Sequence, residues 1–244
     1  MNLVVDLGNT SAKLSLFEGN ELKHITNLGS KITLKGFHDF LKGFENINSC
    51  ILCSVIDHPI EIEDYLNQTY SFLKFSQNTQ VPIENNYTSK ESLGLDRLAA
   101  AVGANVLFPE ANLLVIDFGT CIKYDVVTQG VYLGGSIAPG MKMRFKALNT
   151  FTDRLPLISP NEEIITTGKT TEESILSGVQ FGILSEVKGI MNFYLEQYPE
   201  LKIVFTGGDS KYFDKLPNYN IFAAPNLVSR GLNEILRYND TPKN

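Results

Sequence analysis

Two short segments of the sequence combine an aspartate, a glycine, hydroxyl residues and a lysine after an apolar run. They are Asp6-Leu7-Gly8-Asn9-Thr10-Ser11-Ala12-Lys13 and Asp117-Phe118-Gly119-Thr120-Cys121-Ile122-Lys123. A glycine lets the backbone turn tightly and approach a ligand, and the amides and hydroxyls of such a turn can donate hydrogen bonds to phosphate oxygens. Lys13 would add a positive charge, and Asp6 would hold Mg²⁺ through water. An ordinary hairpin with a polar turn would use the same residue types.

The two segments are copies of one pattern. When Asn9 is left out, the aspartate, glycine, threonine and lysine of the first align with those of the second. A repeated supersecondary unit predicts two similar lobes, which we place at residues 1–112 and 113–244 because Pro109 and Asn112 interrupt the pattern between them. The repeat also favours the phosphate interpretation, because two such hairpins facing one cleft can clamp a nucleotide.

A further group of chemically capable residues is Gly94-Leu95-Asp96-Arg97, near the start of a helix predicted over Leu93–Leu107. Asp96 is a candidate general base, and Arg97 is a fixed cation that could bind a carboxylate or a transferring phosphate. A purely structural role is also open. The helix dipole favours an aspartate in the first turn, and Arg97 could pair with a neighbouring acid.

The elements that would position these residues follow from the spacing of apolar side chains. The predicted strands are Leu3–Asp6, Lys13–Phe17, Cys50–Ile56, Leu113–Asp117 and Lys202–Thr206. The predicted helices are Leu34–Gly43, Ile60–Thr69, Leu93–Leu107 and Thr171–Tyr198, the last preceded by Thr170 with the spacing of a capping box to Glu173. The glycine-rich segment 134–140 is predicted to be a loop, because glycine weakens a strand. Strands and helices in this order predict an α/β fold.

The three cysteines and three histidines give little support for a metal site. Cys50 and Cys53 match a C-x-x-C pattern, but they lie in a predicted strand, where residues three apart point to opposite faces. No second cysteine pair completes a zinc site, so we expect these thiols to pack in a core. His24, His38 and His58 share no spacing with acids or cysteines, and we expect them to be solvated.

Composition narrows the class of protein. The 244 residues are 43% hydrophobic and 20% charged, which is typical of a soluble globular chain. A net charge of −6 argues against nucleic acid or an acidic membrane surface as a partner. Asp6 interrupts the N-terminus too early for a signal peptide, and no apolar run is long enough to cross a bilayer. We therefore expect a soluble, cytoplasmic protein.

Five motifs taken in order resemble those of the type III pantothenate kinases, members of the actin-like superfamily with ribonuclease H-like lobes. They are Asp6-x-Gly8-Asn9-Thr10-x-x-Lys13, Gly94-x-Asp96-Arg97, Asp117-x-Gly119-Thr120, Gly134-Gly135-x-Ile137-x-Pro139-Gly140 and Thr206-Gly207-Gly208-Asp209. Each motif alone is weakly specific, but the set in this order and length is specific, and the resemblance covers nearly the whole chain. It implies two similar actin-like lobes with a nucleotide cleft between them.

The resemblance also implies a role for each matching residue. Asp6, Leu7, Gly8, Asn9, Thr10, Ser11, Ala12 and Lys13 would bind the ATP phosphates with Mg²⁺, together with Thr120. Tyr87, Gly94, Leu95, Asp96, Arg97 and Thr171 would contact pantothenate, with Asp96 as the base that accepts the proton of the substrate hydroxyl. Asp117 would hold a monovalent cation, K⁺ or NH₄⁺. The reaction implied is ATP-dependent phosphorylation of pantothenate to 4′-phosphopantothenate, the first step of coenzyme A biosynthesis, by a homodimer.

One residue departs from the pattern of that family. Lys123 stands where those kinases usually have a small hydroxyl residue, so its ammonium could weaken or replace the monovalent cation. If the strand is regular, Lys123 and Asp117 share one face. Two other functions remain open: another actin-like small-molecule kinase, and a non-catalytic regulatory relative of the same fold. The joint presence of Asp6, Lys13 and Asp96 argues against the non-catalytic relative.

Overall fold

The structure is a computed structural model that describes residues 1–29, 32–198, 200–213, 216 and 218–240. The chain divides into two units. One comprises Met1–Pro109, Gly130–Tyr132 and the chain from Asn226 onward, and the other comprises Glu110–Gln129 and Leu133–Pro225. None of the described helices is both long and apolar enough to span a membrane.

The elements follow the predicted order closely. They are β1 (Asn2–Leu7), β2 (Ala12–Glu18), β3 (Glu21–Asn27), α1 (Leu34–Leu41), β4 (Ser49–Ser54), α2 (Ile60–Thr69), β5 (Ser71–Lys74), β6 (Glu84–Asn85), α3 (Leu95–Leu107), β7 (Asn112–Phe118), β8 (Cys121–Thr128), β9 (Val131–Pro139), α4 (Met141–Thr150), α5 (Thr171–Leu176), α6 (Gly182–Gln197), β10 (Lys202–Thr206), β11 (Ile221–Ala223) and α7 (Leu227–Asp240). Each predicted strand and helix is present, and α2 and β10 have the predicted bounds.

The two units contain sheets of the same plan. In the first unit the strand order is β3-β2-β1-β4-β5. Strand β2 is antiparallel to both of its neighbours, β1 and β3, whereas β4 and β5 are parallel to β1. In the second sheet the order is β9-β8-β7-β10-β11, with β7 and β8 antiparallel, β10 and β11 parallel to β7, and the two-residue β6 paired with the start of β9 at the edge. The repeat inferred from the two aspartate segments is therefore a repeat of topology as well as of sequence.

Helix α7 belongs to the first unit, whereas the predicted boundary gave this segment to the second lobe. The helix packs against α3 at unusually short range: a Cβ placed on Gly231 would lie 1.8 Å from the carbonyl oxygen of Ala99, and one on Gly103 would lie 2.5 Å from that of Leu227. Asn233 also ties the helix to the first sheet, because its amide accepts from Asn2 and donates to the carbonyl of Gly19. Tertiary packing of this kind leaves no local signal in the sequence.

The glycine-rich segment is a strand, so the predicted loop at 134–140 was wrong. Residues 131–139 form β9 next to β8. A Cβ on Gly135 would lie 1.7 Å from the carbonyl oxygen of Tyr124, so glycine is required for the close approach of the two backbones. Gly140 is the N-cap of α4, and its amide donates a hydrogen bond of 3.1 Å to the carbonyl of Thr120.

The predicted long helix is continuous but contains a π-helical turn. Helix α5, the turn over residues 177–181 and α6 follow one another without a break. At the N-terminus, Thr170 Oγ1 accepts from the amide of Glu173, and the Glu173 carboxylate accepts from the amide of Lys169 at 2.6 Å. The predicted capping residues are thus confirmed, with the glutamate reaching one residue further back than in the usual capping box.

Among the residues that the structure describes, no three His, Cys, Asp or Glu side chains are grouped so that they could hold a metal ion. Cys50 and Cys53 are buried in β4, as predicted, and burial raises the pKa of the Cys50 thiol. His58 is not solvated, contrary to the prediction: its side chain is largely buried and its Nε2 lies 2.8 Å from Glu63. Burial alone would raise the pKa of Glu63, but hydrogen bonds from Lys74 and His58 hold it below the ordinary 4.5.

Candidate active site

The first aspartate segment forms a tight hairpin between β1 and β2. Asp6 lies directly opposite Lys13, and Leu7 lies opposite Ala12. The turn is closed by a hydrogen bond of 2.9 Å from the amide of Gly8 to the carbonyl of Ser11. Asn9 and Thr10 are exposed at the tip, so the backbone there is accessible to a ligand.

Ser11 is the residue of this hairpin with the clearest unmet bonding capacity. Its Oγ is buried and has no hydrogen-bond partner among the described residues. Leaving a buried hydroxyl without a hydrogen-bond partner destabilises a protein by about 1–3 kcal/mol. A ligand that accepts a hydrogen bond from the hydroxyl would remove this destabilisation. The hairpin thus has an accessible tip, a donor hydroxyl and a lysine opposite an aspartate, which is a donor set suited to phosphate and to a hydrated divalent cation.

The second aspartate segment repeats this arrangement between β7 and β8. Asp117 lies opposite Lys123, and the turn is closed by the amide of Gly119 bonding to the carbonyl of Cys121 at 3.1 Å. The turn is one residue shorter, as the alignment without Asn9 requires. Thr120, the predicted nucleotide contact of this unit, is partly buried at the turn.

Asp117 and Lys123 form a largely buried ion pair. The Lys123 ammonium lies 2.8 Å from Asp117 Oδ2, and the two side chains are 16% and 13% exposed. The predicted contact is therefore present, but the two residues meet as opposed partners on β7 and β8 and not along one regular strand. The predicted monovalent-cation site at Asp117 does not fit this donor set, because the ammonium of the same hairpin already contacts the carboxylate.

The loop after β10 closes over the second hairpin. Gly207 has a φ of +90°, and a Cβ there would lie 2.5 Å from Asp117 Oδ1 and 2.4 Å from the carbonyl oxygen of Phe118. The amide of Asp209 bonds to that same carbonyl at 3.1 Å. Burial raises the pKa of Asp209, opposed by the charges of Lys142 and Lys211. The Thr206–Asp209 motif is thus held against the second hairpin through backbone contacts.

The start of α3 and Tyr87 bring five of the six predicted substrate residues together. Gly94 is the N-cap of the helix, and Asp96 Oδ1 accepts a 2.9 Å hydrogen bond from the amide of Arg97. Arg97 is only 4% exposed, and its guanidinium lies over the ring of Tyr87, 5.7 Å from the centroid. A Cβ on Gly94 would lie 2.8 Å from Asp96 Oδ1, so glycine leaves room for the carboxylate. A partly buried carboxylate, a buried cation and an aromatic ring are suited to binding a small acidic molecule and moving a proton.

The predicted site residues are divided between the two units. The first hairpin, Tyr87 and the start of α3 belong to the first unit, and the second hairpin belongs to the second unit. Thr171, the remaining predicted substrate contact, is the exposed first residue of α5, also in the second unit.

A polar cluster in the second unit was missed by the sequence analysis. Glu186 on α6 accepts hydrogen bonds of 2.7 Å from Tyr124 on β8 and from Arg144 on α4. Arg144 also donates to the carbonyl of Pro139, at the end of the glycine-rich strand. Burial, and then the Glu186 carboxylate, raise the pKa of the Tyr124 hydroxyl. The three residues are far apart in sequence and have no shared spacing, so only the fold reveals them.

Comparisons with known proteins agree with the motif pattern. A family model described as Type III pantothenate kinase matches residues 2–192. The Type III pantothenate kinase of Christiangramia forsetii is 41% identical over 242 residues, covering 99% of this chain and 100% of that protein.

Solved structures of low sequence identity bear on the fold alone. A Baf family protein of Campylobacter jejuni has a TM-score of 0.63 at 22% identity and covers 97% of this chain and 98% of its own. Component A of the (R)-2-hydroxyglutaryl-CoA dehydratase of Acidaminococcus fermentans has a TM-score of 0.56 at 15% identity, covering 97% and 96%. Both structures share the actin-like fold with this chain, which confirms the predicted fold class.

Proposed function

Since the chain belongs to the type III pantothenate kinase family, we propose how its own residues perform that family's reaction. The chain is a pantothenate kinase of coenzyme A biosynthesis, which transfers the γ-phosphoryl group of ATP to pantothenate. The proposed roles of the residues rest mainly on one observation, the cluster of Asp96, Arg97 and Tyr87 near the start of α3. It supplies a base, a carboxylate-binding cation and an aromatic wall in one place.

The phosphates of ATP are bound by the first hairpin. Support comes from the accessible tip at Asn9 and Thr10, from the unpartnered Oγ of Ser11, and from the position of Lys13 opposite Asp6. Asp6 would hold Mg²⁺ through water, and the bound ion would neutralise charge that develops on the phosphate oxygens. Thr120 of the second hairpin would add a hydroxyl to the same nucleotide.

Pantothenate is bound through its carboxylate, and its hydroxyl group is the acceptor of the phosphoryl group. Arg97 can bind the carboxylate through a forked pair of hydrogen bonds, and Tyr87 fixes the guanidinium from one face. Asp96 accepts the proton of the substrate hydroxyl as its oxygen attacks the γ-phosphorus. The bond from that phosphorus to the β–γ bridging oxygen breaks, and ADP leaves. Leu95 and Thr171 would complete the substrate contacts.

Homodimer formation is part of the proposal. Four apolar side chains of the second unit remain exposed on the long helix and on β9: Phe181, Phe193, Leu133 and Ile137, of which Ile137 is 60% exposed. A second copy of the chain would cover such a surface. Light scattering on wild type and on Phe193→Glu tests it: we expect a dimer for the wild type and a weakened dimer for the variant. A monomeric wild type at micromolar concentration would contradict this part of the proposal.

A cytoplasmic location follows from the proposed reaction, because the substrate ATP and coenzyme A biosynthesis are cytoplasmic. The cysteines are compatible with a reducing compartment, since no disulfide joins them.

One assay separates this function from its alternatives. ADP release is measured with ATP and Mg²⁺, with and without pantothenate, for wild type and for Asp96→Asn. Release that depends on pantothenate and is lost in the variant supports the assignment. Release that requires a different hydroxyl acceptor would indicate another small-molecule kinase, and the absence of release with any acceptor would indicate a non-catalytic relative.

A further inference from the structure

The ion pair between Asp117 and Lys123 differs from the surface ion pairs of this chain. Its two side chains are 16% and 13% exposed, whereas those of the Lys42–Asp39 pair are 74% and 49% exposed, at a similar N–O distance. Water and salt screen an exposed pair strongly, and a largely buried pair much less. The ammonium of Lys123 is therefore a persistent charge on the Asp117 carboxylate.

The fold fixes the position of that ammonium. Asp117 and Lys123 are directly opposed in the antiparallel ladder of β7 and β8, so their side chains rise on the same face of the sheet. On the other side, Gly207 lies so close that its absent Cβ would be 2.5 Å from Asp117 Oδ1. Backbone crowds one oxygen of the carboxylate, and the ammonium contacts the other.

The charges at this position are already balanced. An ammonium group is a compact monovalent charge with three donors, so it satisfies a carboxylate in the way that a bound monovalent ion would. A second cation would have to displace Lys123 or lie beside it, and like charges in a partly buried site repel. A lysine is also covalently held, so its occupancy does not depend on any salt concentration.

We propose that Lys123 is a built-in monovalent cation for Asp117, so that this kinase neither requires nor binds potassium at that carboxylate. The inference rests on the proposed function only for its activity measurement. Its consequence is an enzyme whose turnover is insensitive to potassium, because the charge that orders the second hairpin is supplied by the chain.

The test titrates potassium chloride against tetramethylammonium chloride at constant ionic strength. The proteins are wild type, Lys123→Thr, which opens the position, Lys123→Met, which fills it without charge, and Lys42→Thr, which removes an exposed ion pair of the same type. Two readouts are taken: pantothenate-dependent ADP release, and the midpoint of thermal unfolding without substrates. Unfolding reports cation binding directly, because a ligand that binds only the folded state raises its stability.

We expect wild type and Lys42→Thr to show no response to potassium in either readout. Without potassium, Lys123→Thr should lose about tenfold in its folding equilibrium constant, as expected for losing a hydrogen bond to a charged group, and should turn over more slowly. It should regain both thermal stability and turnover as potassium is added. Lys123→Met should show the loss without the recovery.

Potassium activation of the wild type, or a potassium-dependent rise in its unfolding midpoint, would overturn the proposal. Full activity of both Lys123 variants without potassium would overturn it as well, because the ammonium would then do nothing. If Lys123→Thr fails to fold, the potassium titrations of wild-type turnover and of the wild-type unfolding midpoint still test the proposal. If no preparation phosphorylates pantothenate, the proposed function fails, while the unfolding measurement continues to test Lys123.

Discussion

Replacing Gly231 by alanine should destabilise the first unit and disturb the substrate site together. The added Cβ would lie 1.8 Å from the carbonyl oxygen of Ala99 and 2.9 Å from the amide of Gly103. Both neighbours are backbone atoms of α3, which cannot rotate away as a side chain can. The two helices would therefore have to separate by roughly 1 Å, and a gap of that size forfeits about a quarter to a half of the dispersion energy across it.

The size of the effect follows from what α7 buries. Leu227, Leu232, Ile235 and Leu236 are fully buried, and burying one such side chain contributes about 1.5–3 kcal/mol. Overpacking itself typically costs about 1–3 kcal/mol, while alanine regains about 1 kcal/mol of helix propensity over glycine. We expect a net loss of about 3 kcal/mol, from the cost of overpacking and the loosened contacts. For a chain of this size that loss corresponds to a fall of about 6–12 °C in the unfolding midpoint.

The matched control is Gly36→Ala, in α1 of the same unit. A Cβ there would meet Thr33 Oγ1 at 3.4 Å, an ordinary contact, so the substitution should leave stability unchanged or raise it by up to about 1 kcal/mol. Thermal and urea unfolding measure both variants. Because α3 begins at the Asp96 and Arg97 cluster, we also expect a higher KM for pantothenate in Gly231→Ala only. An unfolding midpoint for Gly231→Ala at or above that of wild type would refute the reasoning about the helix contact.

Three further outcomes are expected. Asp96→Asn should lower kcat by about 10²–10⁴-fold with an unchanged circular dichroism spectrum, and a kcat close to wild type would place the base elsewhere. Lys13→Ala should chiefly raise the KM for ATP and Arg97→Ala chiefly that for pantothenate, as separate titrations of the two substrates would show; equal effects on both substrates would contradict the division of roles. Glu63→Gln should destabilise the protein at neutral pH, because the folded-state pKa of Glu63 lies below 4.5. Urea midpoints of variant and wild type, measured against pH, should converge as the pH falls through that lowered pKa. A difference in midpoint that does not change with pH would exclude the ion-pair explanation.

Local patterns were sufficient for much of the fold. The hairpins at Asp6 and Asp117 were predicted because apolar runs end in turn residues, and such signals act over a few neighbouring positions. The repeat was detectable because both copies keep the aspartate, the glycine and the lysine in register. The contact of Lys123 with Asp117 was predicted from side-chain alternation along one regular strand, but in the structure it comes from the pairing of β7 with β8 across the hairpin.

Features that depend on distant backbone were not predictable in this way. Glycine normally argues against a strand, but at Gly135 it is needed because the carbonyl of Tyr124 comes so close. The placement of α7 depends on a glycine contact with α3, more than one hundred positions earlier in the chain. The bonds of Glu186 to Tyr124 and Arg144 likewise join three separate elements. The assignment of site residues to ATP and pantothenate came from the family pattern and stays a prediction.

The first unit is assembled from both ends of the described chain, and this has a consequence for its synthesis. Strands β1–β5 and α3 leave the ribosome early, but α7 is the last described element to be made. Until then the face of α3 around Gly103 and Ala99 has no partner helix, although the intervening unit between Glu110 and Pro225 has been translated in full. Domains generally fold as units during translation, in the order in which they emerge. Here the unit whose synthesis begins first is completed last. The apolar face of α3 must therefore avoid aggregation while the other unit is being synthesised.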